Sequence, residues 1–336
     1  MNQLKNYEVV SCIQPSGDIH IGNYFGAVKN WVALQEKYQC VYGVVDLHAM
    51  TRNSEPKALQ SNTDQMVIDL LACGIDPNKS TLFVQSLIPE HTELTWILSN
   101  LTNFGEVSRQ TQFKNAQKHN ESTSAGFFTY PILQAADILI YKAKYVPVGD
   151  DQRQHLELCR KIAERFNTRY EVDYFDLPEA MYTNSSRIMS LADPSQKMSK
   201  TKGEKHFIRL FEEAEIIRKK INAAVTDSRD APEGEMSKGV SNLFTILGAC
   251  GKADEVISLT NDFYTNQLKY SQLKEAVSEA LIELSAGLKT RRSEIQSDVS
   301  LINDTIREMS EKARKTAQNT VYEVKKHVGI KSISHF

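Results

Sequence analysis

Charge of one sign is not in excess in this chain. Lys+Arg number 40 against 42 Asp+Glu, a formal net charge of −2 over 336 residues. A uniformly basic coat for indiscriminate nucleic-acid binding is therefore excluded, and only local basic patches remain. Cysteine is sparse and scattered: Cys12, Cys40, Cys73, Cys159 and Cys250 form no Cys-x-x-Cys pair. That spacing argues against a zinc ribbon, an iron–sulfur site or a disulfide framework, and it suits a reducing cytosol. Met1-Asn2-Gln3-Leu4-Lys5 lacks the apolar centre of a signal peptide. No stretch approaches the roughly 20 apolar residues of a membrane span. The expectation is a soluble cytoplasmic protein with no membrane partner and no protein-held metal. Internal repeats and low-complexity tracts are also lacking, and the length suits one large domain or two ordinary ones.

What is present alternates. Val9–Ile13, 41–45, 81–85 and 145–149 are short β-branched or aromatic runs that read as strands, and helical spacing lies between them. Ile21, Phe25, Val28 and Val32 recur on one helical face, and further helices are expected over residues 56–73, much of 91–116, 131–141 and 150–166. Near-continuous apolar strands separated by helices imply a parallel sheet covered on both faces. In such sheets ligands bind beyond the carboxyl ends of the strands. The segments at 14–23, 46–48, 85–91 and 149–152 all follow strands, so they are expected to converge on one cleft. After about residue 205 strand signals fade and Glu-, Lys-, Ala- and Leu-rich helical patterns run on. The fold class is thus α/β, a doubly wound parallel sheet with a second, all-helical domain.

Several constellations carry chemistry. Gln14-Pro15-Ser16-Gly17-Asp18-Ile19-His20-Ile21-Gly22-Asn23 joins a strand to a helix whose N-terminus attracts phosphate. His20 and Asn23 are neutral donors there, and Gly22 admits close backbone approach. Lys197-Met198-Ser199-Lys200-Thr201, flanked by Pro194 and Gly203, offers two ammonium groups and two hydroxyls on a polar loop. Its methionine is suited to anchor the loop on apolar surface. Gly149-Asp150-Asp151-Gln152 follows a strand, and its carboxylates suit either a helix N-cap or ribose hydroxyls. Tyr130, Gln134, Asp137 and Tyr141 share one face of an otherwise apolar helix, as a pocket wall with one ionisable handle does. His48 is a pocket-lining candidate, whereas His91 and His155 read as structural or surface residues.

Taken together, the first segment resembles the His-Ile-Gly-His signature of class I aminoacyl-tRNA synthetases, with Asn23 in the last place. Residues 197–201 resemble that class's Lys-Met-Ser-Lys-Ser loop, with Thr201 for the final serine. Within the class, the collinear set Ile13–Gly17, Val45–Ala49, Thr111–Lys114, Ala135–Leu139, Val146–Gln152 and Ala224–Ser228 is similar to bacterial-type tryptophan–tRNA ligases. The resemblance implies a Rossmann-like catalytic domain over 1–190, a lysine-rich catalytic loop at 191–205, an anticodon-binding helical domain over 206–300 and a C-terminal helical segment at 301–336. It implies His20, Asn23, Lys197 and Lys200 as catalytic. For ATP it implies Gln14, Pro15, Ser16, Gly22, Asn23, Gly149, Asp150, Asp151 and Ile188 with Lys197, Met198, Ser199, Lys200 and Thr201. For tryptophan it implies Asp137 as acceptor of the indole N–H, joined by Tyr130, Gln134, His48 and Gln152.

The same resemblance implies ATP with Mg²⁺, L-tryptophan and its tRNA as substrates, transfer to the terminal 2′-hydroxyl, and a homodimer. Arg218-Lys219-Lys220, Lys289 with Arg291-Arg292, and Lys312 with Arg314-Lys315 are candidate tRNA phosphate contacts. The sequence departs from the family at Gln134, where relatives often carry methionine, at Cys12, where glycine is common, and at Lys202–Lys205. A tyrosine–tRNA ligase, a small nucleotidyltransferase sharing only the first motif, and a non-catalytic tryptophan-binding paralogue are the alternatives.

Overall fold

A computed structural model describes residues 7–51, 55–118, 124–149, 152–182, 186–226, 232 and 234–331. Five parallel strands form one sheet in the order β3-β2-β1-β4-β5: β1 Val9–Ile13, β2 Cys40–Val44, β3 Thr81–Val84, β4 Tyr145–Pro147 and β5 Glu179–Met181. The chain winds outward from β1 through β2 to β3, then returns to place β4 on the other side of β1. The switch point therefore lies between β1 and β4.

Helices cover both faces. In chain order these are α1 Ile21–Asn23, α2 Lys29–Leu34, α3 Asp46–Ala49, α4 Pro56–Ala72, α5 Glu90–Ser99, α6 Phe104–Ser108, α7 Thr111–Lys118, α8 Ala125–Leu139 and α9 Arg153–Tyr170. A second series follows: α10 Ala214–Asn222, α11 Lys238–Ala249, α12 Ala253–Tyr264, α13 Tyr270–Gln296 and α14 Val299–Val328. Tyr24–Val28, between α1 and α2, forms a π-helical turn, a rare geometry that recurs at functional sites.

Period-two alternation along the strands builds two cores. Val9, Tyr42 and Val44 face one side with Trp31, Leu70, Leu243 and Val277, so α11 and α13 fill the same core as the sheet. Val10, Val41 and Phe83 face the other with Leu94, Leu139, Ile162 and Phe166. Into this second core α14 inserts Ala313, Ala317, Val321 and Val324, a stripe whose small residues let the helix approach closely. Ser310 Oγ accepts from the Val84 amide at 3.3 Å, which caps an edge strand that would otherwise present free backbone groups.

Two local details depart from the sequence reading. α8 starts six residues before the expected Pro131, because Ser124 caps it by accepting from the Phe127 amide at 3.1 Å. Strand β5 was not expected, since Glu-Ala-Met carries no strand preference and exists only through its pairing with β4. Of the structural or surface places expected for His91 and His155, the structure shows the former, both being buried inside polar networks.

Candidate active site

A cavity of about 400 Å³ opens at the switch point, beyond the ends of β1 and β4. Its wall brings together Gln14, Gly22, Asn23, His48, Tyr130, Gln134, Asp137, Gly149, Gln152 and Lys197. Cys12, Gly26 and Asn30 complete that wall near the π turn. Asp150 and Asp151 lie outside the described residues. Pro15, Ser16, His20, Ile188, Met198, Ser199, Lys200 and Thr201 lie beside the cavity rather than lining it.

The turn of the first motif is shaped by a reciprocal cap. His20 Nδ1 accepts from the Asn23 amide at 3.2 Å, and the His20 amide donates to Asn23 Oδ1 at 3.4 Å. A ring nitrogen that accepts must be unprotonated. In agreement, burial, followed by Lys200 and Lys197, pulls the His20 pKa down to about 4. His20 is therefore a neutral wedge packed near Phe207, and Asn23 keeps its amide nitrogen for a ligand. At Gly22 a Cβ would sit 3.0 Å from the His20 ring and 3.3 Å from Met198 Cβ, so a larger residue would push on both the cap and the loop. Met198 is 3% exposed and anchors the lysine loop as expected. Gly17 turns the chain at φ +88°, and Lys200 Nζ reaches back to donate to the carbonyls of Ser16 at 2.8 Å and Asp18 at 2.9 Å.

The loop is rooted on both sides. Met189 pairs with Lys197 and His20 with Arg209 as isolated bridges. The Asn242 side chain on α11 brackets the Met189 backbone, accepting at 2.8 Å and donating at 3.0 Å. The Met198 amide donates to the Ile188 carbonyl at 3.2 Å, which sets buried Ile188 beneath the loop.

At the opposite end Asp137 is 2% exposed and held by three donor nitrogens. His48 Nε2 lies 2.7 Å from Oδ2, His91 Nδ1 lies 2.6 Å from Oδ1, and Gln85 Nε2 reaches both oxygens at 2.7 and 2.9 Å. Burial pushes the Asp137 pKa up, but His48 and His91 outweigh it and hold the carboxyl well below the usual carboxylate range. Tyr141 Oη lies 2.9 Å from His91 Nε2, so the His91 ring links the phenol to the carboxylate. A carboxylate has about four acceptor sites, and the four contacts occupy them; a ligand N–H would take over one of the two that Gln85 Nε2 makes.

Between the two ends, Gln134 Nε2 donates to Gln152 Oε1 at 3.1 Å, His155 Nδ1 lies 3.2 Å from the same oxygen, and Tyr130 Oη lies 2.8 Å from His155 Nε2. Gln85, His91 and His155 were missed as site residues. Their only sequence signal was position: Gln85 and His91 fall in the segment following β3, and His155 falls one turn into the helix after β4.

Several groups of the basic clusters are already paired. Arg218 pairs with Glu275 and Glu279, Lys289 with Glu213, Arg292 with the buried Asp69, and Arg314 with Glu90. Those groups serve the packing of the helices, and a tRNA phosphate would have to compete with a carboxylate for each.

Comparison with known proteins fits this geometry. Residues 2–286 match the family described as tRNA synthetases class I (W and Y). A tryptophan–tRNA ligase of Caldanaerobacter subterraneus subsp. tengcongensis is 45% identical over 332 residues, covering 96% of this chain and 98% of that protein. One from Clostridium acetobutylicum is 42% identical over 326 residues, covering 96% of each. Among solved structures, the tryptophanyl-tRNA synthetase of Mycoplasma pneumoniae superimposes with a TM-score of 0.86 at 35% identity, covering 98% of this chain and 99% of that one. That of Campylobacter jejuni, complexed with ADP and tryptophan, gives 0.83 at 32% identity, covering 96% and 100%. A cavity at the switch point, a capped first motif and a lysine loop docked on it thus occur in a chain that matches along nearly its whole length, and this chain belongs to the class I tRNA synthetases of the tryptophan and tyrosine group.

Proposed function

We propose that this protein activates L-tryptophan with ATP and transfers it to the 2′-hydroxyl of the terminal adenosine of its tRNA. The observation that carries the reading is the polarity of one cavity: a buried, ionised acceptor at one end and a phosphate-facing turn with a lysine at the other. Indole has a single N–H donor, which would replace one of the two contacts that Gln85 makes to Asp137. With the ring seated there, the amino-acid head group points toward Tyr130, Gln152 and the first motif.

The tryptophan carboxylate then attacks the α-phosphate of ATP in line, and pyrophosphate leaves. Such chemistry needs positioning and charge stabilisation more than covalent help. Gly22 and the Asn23 amide side chain offer close approach and a neutral donor, Gly149 borders the ribose, and Lys197 and Lys200 offset charge on the departing phosphates. Mg²⁺ belongs to the nucleotide and is carried on its phosphate oxygens. In the second step the tRNA hydroxyl attacks the adenylate carbonyl and AMP leaves.

No helix among the described residues is long and apolar enough to cross a membrane, and the reading places the protein in the cytoplasm, where tRNA is charged. Trp96 and Phe104 are 71% and 74% exposed, and a second copy of the chain covering them is the assembly we propose.

The relatives favour tryptophan over tyrosine. Amino-acid-dependent ATP–pyrophosphate exchange across the common amino acids tests the choice: strong exchange with tryptophan alone is expected. Exchange with tyrosine would redirect the assignment, and none with any amino acid would point to a binding paralogue.

A further inference from the structure

One guanidinium ties the first motif to the far side of the lysine loop. Arg209 Nε donates to Asp18 Oδ2 at 3.0 Å, Nη1 to Glu204 Oε2 at 2.7 Å, and Nη2 to Glu204 Oε1. Its backbone is fixed by flanking pairs: the Leu210 amide donates to the Ile19 carbonyl at 2.8 Å, and the Ile21 amide to the Ile208 carbonyl at 3.0 Å. Lys220 Nζ holds Glu204 at 3.1 Å and Glu212 at 2.8 Å. Both cations lie over the Phe207 ring, at 5.1 and 4.9 Å.

The placement of Asp18 makes this arrangement consequential. Its carbonyl already receives the Lys200 ammonium, and its carboxylate is close enough to favour the charged form of that ammonium, while Arg209 opposes it. Among the described residues Arg209 alone makes an ion pair with Asp18. If Arg209 is removed, Glu204 and Glu212 keep Lys220, but Asp18 is left with Lys200 as its neighbouring cation. A carboxylate binds an ammonium more strongly than neutral carbonyls do.

We infer that Arg209 is a positioning residue for Lys200. By occupying the Asp18 carboxylate it leaves the Lys200 ammonium on neutral carbonyls, from which a nucleotide phosphate can draw it. The inference rests on the reading of Lys200 as a phosphate-neutralising group.

Pyrophosphate exchange with tryptophan separates the two. Arg209→Met is expected to lower kcat by about fivefold at low salt, the size of one exposed charge pair, with the KM for ATP changed less than about twofold. The deficit should shrink as salt screens the new Asp18–Lys200 attraction. Adding Asp18→Asn to Arg209→Met should restore kcat, which a merely structural arginine, or one touching phosphate itself, would not allow. Arg209→Gln repeats the test if the methionine variant does not fold. A parental rate in Arg209→Met, or a deficit that Asp18→Asn leaves in place, would overturn the inference. Parental exchange in Lys200→Ala would instead remove the reading of the loop, and the inference with it.

Discussion

The two ends of the cavity are built on opposite principles. At the end proposed for tryptophan, Asp137 is dry, ionised and held by three donor nitrogens from two histidines and a glutamine, on α3, on α5 and at the end of β3. At the end proposed for the nucleotide, Lys197 is exposed, and Lys200 rests on two carbonyls of a turn. The first arrangement cannot relax without stranding several buried polar groups. The second exchanges partners at little cost. A site that must reject close analogues benefits from a rigid acceptor, whereas one that must follow a phosphate group through a reaction benefits from charges on long, lightly held side chains.

Substitutions can break the comparison, and the largest effect belongs to the rigid end. Asp137→Ala should reduce the preference for tryptophan over phenylalanine in exchange kinetics by several orders of magnitude, toward the roughly 10⁴-fold scale of sites built around a buried hydrogen-bonding group. Unchanged discrimination would remove Asp137 from selection. Lys200→Ala should lower the activation rate by about 10²–10³-fold, as loss of a group aimed at developing charge does, with a much smaller change in the KM for ATP. An equal loss in both would make the lysine a ground-state ligand.

A smaller effect tests how the rigid end is held. His91→Leu leaves Asp137 Oδ1 with Gln85 alone and takes the His91 partner from the Tyr141 hydroxyl, so the KM for tryptophan should rise by about tenfold, the scale of a charge-assisted hydrogen bond, while the KM for ATP stays within about twofold. The smallest concerns His20 and pH. Its folded pKa, about 4, lies below the unfolded value near 6.5. The unfolded chain therefore binds more protons between those values, and stability falls as pH drops through that window. By pH 5 the loss amounts to about 2 kcal/mol. His20→Asn keeps a cap acceptor and removes the titration, so the fall in unfolding free energy from pH 7 to pH 5, read from urea titrations, should be smaller in the variant by that amount.

Much of the comparison was legible in the sequence, and for a physical reason. Both defining segments are contiguous: residues 14–23 and 197–201 carry their chemistry in local order, and strands β1 to β4 announce themselves as β-branched runs. The wall formed by Tyr130, Gln134 and Asp137 followed from helical spacing alone. What escaped depended on tertiary placement. A lone glutamine after a strand and a lone histidine in a helix have no periodic signal, so Gln85 and His91 emerged only when β3 came to lie beside β2 and α8. Arg209 meets Asp18 across 191 positions of sequence, and no local rule links them. The return of α14 onto β3 likewise depends on a small-residue stripe whose partner lies far away in the chain.

The claim that one cavity divides selection from charge neutralisation is tested most directly by titrating tryptophan into Asp137→Ala and Lys200→Ala and measuring adenylate formation in each. Weakened tryptophan binding in the first, and parental binding with a collapsed rate in the second, is the expected result. Parallel losses of binding and rate in both variants would contradict it.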